Sequence, residues 1–156
     1  MPHLAKILPR SNVLLDVEAS DKPHVFAQIA ALVERHSSAS GAAVLESLQA
    51  REALGSTGLG RNVAVPHGRI KGLKDAMAAF VRLKEPIAFD SPDEQPVKMM
   101  IAVLIPDNVT QQHLEILSEI AEMFSNDTFR TLLATISDPD AIHEQILAWK
   151  PGRQAA

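Results

Sequence analysis

A chain of 156 residues that is 46% hydrophobic and 22% charged has the composition of one packed, water-soluble domain, not of a disordered segment. It contains no cysteine, which excludes disulfide scaffolds, thiolate nucleophiles, iron–sulfur clusters and cysteine-ligated zinc. A formal charge of −4, with five Phe, one Trp and no Tyr, supplies neither the basic field nor the stacking aromatics of a nucleic-acid binder.

The first ten residues are interrupted by Lys6 and Pro9, so no signal peptide is expected. The run NVLLDV (Asn12 to Val17) reads as a short strand. Ser20 then suits an N-cap with Asp21 in the first turn, and Val25, Phe26, Ile29, Leu32 and Val33 recur at helical spacing to an end near His36. Ser40 and Gly41 open a second helix with Val44, Leu45 and Leu48 inward, and Gly55 is placed to close it in a left-handed turn. Met77 to Leu83 reads as a strand. Lys98 to Ile105, nearly all apolar, suits the middle of a sheet covered on both faces, with the polar link SPDEQP (Ser91 to Pro96) between the two. Met99 and Met100 read as core filling.

Asp107 or Thr110 can cap the next helix, whose expected core stripe is Leu114, Leu117, Ile120, Ala121 and Phe124. Two more helices are predicted over Asp127 to Ile136 and, with Asp138 as cap, Pro139 to Trp149. The tail PGRQAA is expected to fray. The longest apolar run, Met99 to Ile105, is far short of the ~20 residues of a membrane span. No membrane insertion is expected, and the expected location is the cytoplasm. The predicted fold is a single α/β domain over residues 1–150, an α/β/α sandwich with a mixed central sheet of about five strands flanked by helices.

The stretch GSTGLGRNVAVPHGR, Gly55 to Arg69, differs in kind. Its glycines Gly55, Gly58 and Gly60 allow backbone N–H groups to approach an anion, and the apolar VAV then delivers His67 at a strand end. It is not a P-loop, because Arg61 and Asn62 stand where Lys and Ser/Thr are required. It is not a dinucleotide fingerprint, because Val63 replaces the third glycine, nor a serine elbow, because Ser56 directly follows Gly55. Neither HLEIL at His113 nor HEQIL at His143 has a second histidine four residues on, so no zinc motif exists and no metal is expected. His3, His24, His36 and His143 lack a partner pattern and read as surface residues.

The same stretch closely resembles the phosphorylation-site signature of the fructose/mannitol/nitrogen class of enzyme IIA proteins of the bacterial phosphoenolpyruvate-dependent phosphotransferase system. The resemblance extends to LQAREALGSTG, LKEPIAFDSPDEQPV, MMIAVLIP and QQHLEILSEIA, and covers roughly Leu4 to Ile146. It implies a phosphohistidine carrier in which His67 accepts a phosphoryl group from the phosphocarrier HPr or its nitrogen-branch paralogue NPr. It also implies that His113 lies beside it and that Arg51 precedes the glycine loop as a phosphate stabiliser. Residue chemistry agrees: a neutral imidazole is nucleophilic near pH 7, and the phosphorylated product needs donors, which the loop amides, the Ser56 and Thr57 hydroxyls and Arg51 could supply. His113 in a helix first turn could donate one hydrogen bond through a tautomer that the sequence leaves open.

No cofactor is implied. Without a IIB-, IIC- or HPr-like segment in the chain, the expectation is a nitrogen-type regulator acting on target proteins. The alternatives are a sugar-specific component passing phosphate to a IIB domain and a non-enzymatic binding module of the same fold.

Overall fold

The computed structural model describes residues 3–150; the predicted tail lies outside them. After α1 (His3–Ile7) and a 3-10 turn (Arg10–Asn12), the elements are β1 (Val13–Val17), α2 (Lys22–His36), α3 (Gly41–Ala53), β2 (Gly58–Gly60), β3 (Val63–Ala64), β4 (His67–Ile70), β5 (Met77–Ile87), β6 (Val97–Pro106), α4 (Gln111–Ser125), α5 (Asp127–Thr135) and α6 (Pro139–Ala148). The sheet has six strands in the order β1-β5-β6-β3-β2, with β4 also pairing with β6. It is mixed: β1 runs parallel to β5, β5 antiparallel to β6, and β3 and β4 both parallel to β6.

β6 is buried along nearly its whole length, which explains its unbroken apolar sequence. Met99, Ile101, Val103 and Ile105 enter a core with α1, α4, α5 and α6, while Met100, Ala102 and Leu104 enter a second core with α2 and α3. Alternation along a strand thus feeds two layers from one segment. The fully buried rings of Phe26, Phe80, Phe89 and Phe124 each contribute about 1.5–3 kcal/mol relative to exposure. Phe26 and Phe89 meet edge to face at 6.1 Å.

Polar groups close the helix ends. Ser40 accepts from the Ala43 amide at 3.1 Å, Asn126 from Phe129 at 2.8 Å and Asp138 from Asp140 at 3.0 Å. The α2 cap is Asp21, accepting from His24 at 3.0 Å, one residue later than the predicted Ser20. Arg82 of β5 is buried and donates to the Leu133 and Ile136 carbonyls, so its cation satisfies the C-terminal end of α5.

Several expectations are corrected. α1 and the strands β2 and β4 are additional to the predicted elements, and β5 runs on to Ile87. On α4 the buried stripe is Ile116, Ile120, Met123 and Phe124. Leu114 and Ala121, placed inward from sequence, face outward, because the helix is rotated by about one position on the sheet. Gly55 follows α3 with φ +154°, outside the left-handed helical region expected for it. His143 is half-buried and donates to the Leu8 carbonyl at 2.9 Å, tying α6 to the chain start.

Candidate functional site

β4 begins with His67. Its registered partner on β6 is Val103, and the next pair is Gly68 with Leu104. Val103 belongs to the α4 layer and Leu104 to the α2–α3 layer, so alternation points His67 toward α4 and Gly68 toward α3. The glycine has a steric reason: a Cβ on Gly68 would come within 2.4 Å of Ser47 Oγ and 3.3 Å of the Ser47 backbone carbon. Ser47 Oγ donates to the Arg69 carbonyl at 2.7 Å, locking α3 against β4. One turn beyond Ser47 on the same helix face stands Arg51.

The half-buried His67 ring is held by one hydrogen bond, Nδ1 to the Val65 carbonyl at 2.7 Å. A carbonyl only accepts, so Nδ1 carries the proton and the lone pair lies on Nε2. Burial pushes the His67 pKa below its ordinary value of 6.5. The Val65 carbonyl opposes that shift, Arg51 adds to it and the Glu52 carboxylate opposes it. The ring is therefore neutral at physiological pH, with its Nε2 lone pair on a strand at the sheet edge, and Arg51 and Glu52 in the last turn of α3 both act on it electrostatically.

His113 occupies the third position of α4, in the layer toward which His67 points. Its amide donates to Thr110 Oγ1 at 3.4 Å, and its Nδ1 accepts from the Thr110 amide at 3.2 Å, a reciprocal capping box. Accepting at Nδ1 leaves the neutral ring's proton on Nε2, which settles the tautomer that the sequence left open. A residue chosen for a helix cap thus also presents a single N–H donor.

The glycine segment is built differently from its sequence expectation. The Gly55 amide donates to the Glu52 carbonyl at 3.1 Å, that of Thr57 to Glu52 Oε2 at 3.0 Å and that of Gly58 to Ser56 Oγ at 3.0 Å. The Ser56 hydroxyl donates to the Phe89 carbonyl at 2.6 Å, and that of Thr57 to Glu52 Oε1 at 2.6 Å. These donors hold the loop's own shape. Beyond them β2 and β3 form a hairpin whose two turn residues, Arg61 and Asn62, have φ of 56° and 68° after Gly60 at 86°, as a two-residue primed turn requires. Asp93 pins the Arg61 amide at 2.8 Å.

Arg51 donates to the Gly55 carbonyl at 2.8 Å, so the loop places its guanidinium. Sequence reasoning missed Glu52, whose side chain is 7% exposed and bonded to Lys22 Nζ at 2.9 Å; a buried carboxylate beside an arginine in a helix end has no periodic signature. Three large hydrophobics are exposed among the described residues: Leu54 at 86%, Leu59 at 44% and Leu114 at 52%. Leu54 lies three residues after Arg51, Leu59 in β2 beside the end of α4, and Leu114 next to His113. No group of metal ligands is assembled among the described residues, and none of their helices is long and apolar enough to cross a membrane.

Over residues 6–149 the sequence matches the family described as the phosphoenolpyruvate-dependent sugar phosphotransferase system, EIIA 2. It is 34% identical over 154 residues to a nitrogen regulatory protein of Pseudomonas aeruginosa, covering 98% of this chain and all of the relative. It is 35% identical over 139 residues to that of Escherichia coli K12, covering 88% and 85%. The fructose-specific EIIABC component of Bacillus subtilis is 24% identical over 140 residues, 89% of this chain and 22% of that protein. Among solved structures, nitrogen regulatory protein IIA-Ntr from Neisseria meningitidis superposes with a TM-score of 0.87 at 46% identity, covering 91% of this chain and 97% of the other.

Proposed function

We propose that this chain, which belongs to the EIIA type 2 family of the phosphoenolpyruvate-dependent sugar phosphotransferase system and is of its nitrogen-regulatory kind, carries its phosphoryl group on Nε2 of His67. The observation that carries this reading is the bond from Nδ1 to the Val65 carbonyl, which directs the lone pair of a neutral ring away from the chain.

Phosphoryl transfer asks for in-line positioning and for neutralisation of the equatorial oxygens. In the step we assign, the His67 Nε2 lone pair forms a bond to phosphorus as the donor's phosphorus–nitrogen bond breaks, and that electron pair returns to the donor's ring. Positive charge developing on the His67 ring is stabilised at Nδ1–H by the Val65 carbonyl. The Arg51 fork and the His113 Nε2–H meet the phosphoryl oxygens, while the carbonyl of Gly55, at the head of the segment with Ser56, Thr57, Gly58 and Gly60, places Arg51. The P–N bond made resembles the P–N bond broken, so the step needs neither nucleotide nor metal.

The donor is a small phosphocarrier of the HPr or NPr type, and the phosphorylated chain acts on regulatory target proteins; in the sugar-specific alternative it passes its phosphate to a IIB domain. Exposed Leu54, near Arg51 in sequence, and exposed Leu114, next to His113, suit docking of a protein, because exposed apolar side chains gain from coverage by a partner. The test is incubation with enzyme I, a phosphocarrier and phosphoenolpyruvate. The expected result is an acid-labile mass gain of one phosphate that Glu-C or tryptic mapping places on His67 and that His67→Ala abolishes. A gain that persists in that variant, or an acid-stable ester on Ser56 or Thr57, overturns the assignment.

A further inference from the structure

We propose that Glu52 is a positioning residue for the His67 imidazole, acting through a continuous hydrogen-bond path that begins at the end of α3 and finishes at the ring. Glu52 Oε2 accepts the Thr57 amide at 3.0 Å and Oε1 accepts the Thr57 hydroxyl at 2.6 Å. The Thr57 carbonyl accepts the Val65 amide at 3.0 Å. The Val65 carbonyl accepts His67 Nδ1–H at 2.7 Å. Thr57 is therefore gripped on both sides, and the carbonyl that fixes the tautomer of His67 is itself fixed through Thr57 by one carboxylate.

Closing a turn does not by itself call for a buried charge. A carboxylate shielded from water is costly unless it is fully paired. Glu52 is compensated by Lys22 Nζ at 2.9 Å, and Lys22 in turn lies 4.5 Å from the centre of the Phe89 ring and 3.5 Å from Asp90. The arrangement places a fixed anion near the histidine, opposite in sign to its sequence neighbour Arg51, and both act electrostatically on the ring. Arg51 is positioned to meet the phosphoryl group; Glu52 orients the nitrogen that receives it. The importance of that orientation for phosphoryl transfer rests on the assignment of His67 as the acceptor.

Glu52→Gln separates these roles. One amide oxygen cannot accept from the Thr57 amide, the Thr57 hydroxyl and Lys22 together, so the path breaks with little change in side-chain volume. In the 15N-labelled, unphosphorylated full chain, the wild-type His67 ring is expected to show the Nδ1–H tautomer, and Glu52→Gln a mixture of both. Single-turnover transfer from saturating phosphorylated carrier should fall roughly ten- to a hundred-fold, as expected for a misaligned nucleophile, with carrier affinity unchanged. Thr57→Val, which keeps the backbone bond and loses the hydroxyl bond, gives the same readouts at intermediate size and serves if Glu52→Gln does not fold. Lys22→Met leaves the path intact and should keep the wild-type tautomer. A wild-type tautomer and saturated rate in both Glu52→Gln and Thr57→Val overturn the proposal while leaving His67 as acceptor. A tautomer change in a chain that takes no phosphate on His67 upholds the path and overturns the assignment of the acceptor.

Discussion

Substituting Gly68 by alanine tests how the site is assembled, because the glycine is required by space and not by torsion. Its φ is not among the positive values of the chain, so alanine is free to adopt the backbone. The added Cβ, however, would lie 2.4 Å from Ser47 Oγ and 3.3 Å from both Ser47 Cβ and the Ser47 backbone carbon. The hydroxyl must rotate away and give up its 2.7 Å bond to the Arg69 carbonyl, a loss of about 0.5–1.5 kcal/mol. The remaining contacts push α3 outward by a few tenths of an ångström, bringing the total toward the lower part of the ~1–3 kcal/mol range for overpacking. The stiffer unfolded chain offsets roughly 0.4–1 kcal/mol of this. A net destabilisation of about 0.5–1 kcal/mol lowers Tm by roughly 1–4 °C for a chain of this size. Transfer should slow as well, because α3 carries Arg51 and Glu52. Thermal and urea melts of Gly68→Ala, Ser47→Ala and the double variant form a closed cycle. Ser47→Ala removes the nearest clash, so the double variant should lose less than the sum of the singles. Strict additivity, or a Gly68→Ala variant as stable and as fast as wild type, refutes the claim that this glycine seats α3 on β4.

Lowering the pH tests the burial of His67. The folded ring releases its proton below the ordinary 6.5, so the unfolded chain binds more protons between the two values, and stability present above 6.5 is lost as pH falls toward the folded pKa. Transfer should stay flat as pH falls through 6.5 and decline only below it, and the urea midpoint of wild type should drop below that of His67→Gln by a margin that grows over the same window; a rate that halves at 6.5 refutes this. Removing one oxyanion-type donor with His113→Ala or Arg51→Met should each cut the saturated rate by about 10²–10³, with mass-spectrometric time courses as the measure and an unchanged rate as the refutation. Leu54→Asp should raise KM for the phosphocarrier and leave the saturated rate alone, since an 86% exposed side chain contributes to docking and not to chemistry. With purified phosphorylated carrier, transfer to His67 should proceed in EDTA and reverse on adding unphosphorylated carrier; a strict need for Mg²⁺ or ATP contradicts the relay.

Where periodicity and caps were strong, sequence reading and structure coincide: Val25, Phe26, Ile29, Leu32 and Val33 are all buried, and Ser40, Thr110 and Asp138 are the caps. On α4 the apolar residues span more than one face, and the true stripe depends on how the helix rolls on β6, which no local pattern encodes. β2, β3 and β4 have three, two and four residues; they become strands only because β6 offers hydrogen bonds along one edge and the Arg61–Asn62 turn folds β2 back. Arg51, His67 and His113 stand out in the sequence through the signature they share with a family. What the sequence could not give is the division of labour among the polar residues: the Ser56 and Thr57 hydroxyls go to the Phe89 carbonyl and Glu52, and the His113 ring is half cap and half donor. Only the Ser56 bond to Phe89 joins residues far apart in the chain; the others are local, and which nearby partner each group takes is fixed by the folded backbone.

The placement of His67 on β4, at the open flank of β6, has a kinetic consequence. β4 pairs with β6 alone, so on the proposed assignment of His67 as acceptor the strand's unpaired side is the flank from which a partner's ring would approach. On that assignment, the time for which a phosphoryl group stays on this chain would depend on how often a suitable partner meets this flank in the right orientation. A carrier so built would turn the abundance of its partners into its own fractional occupancy, the property that a sensor of phosphoryl supply requires.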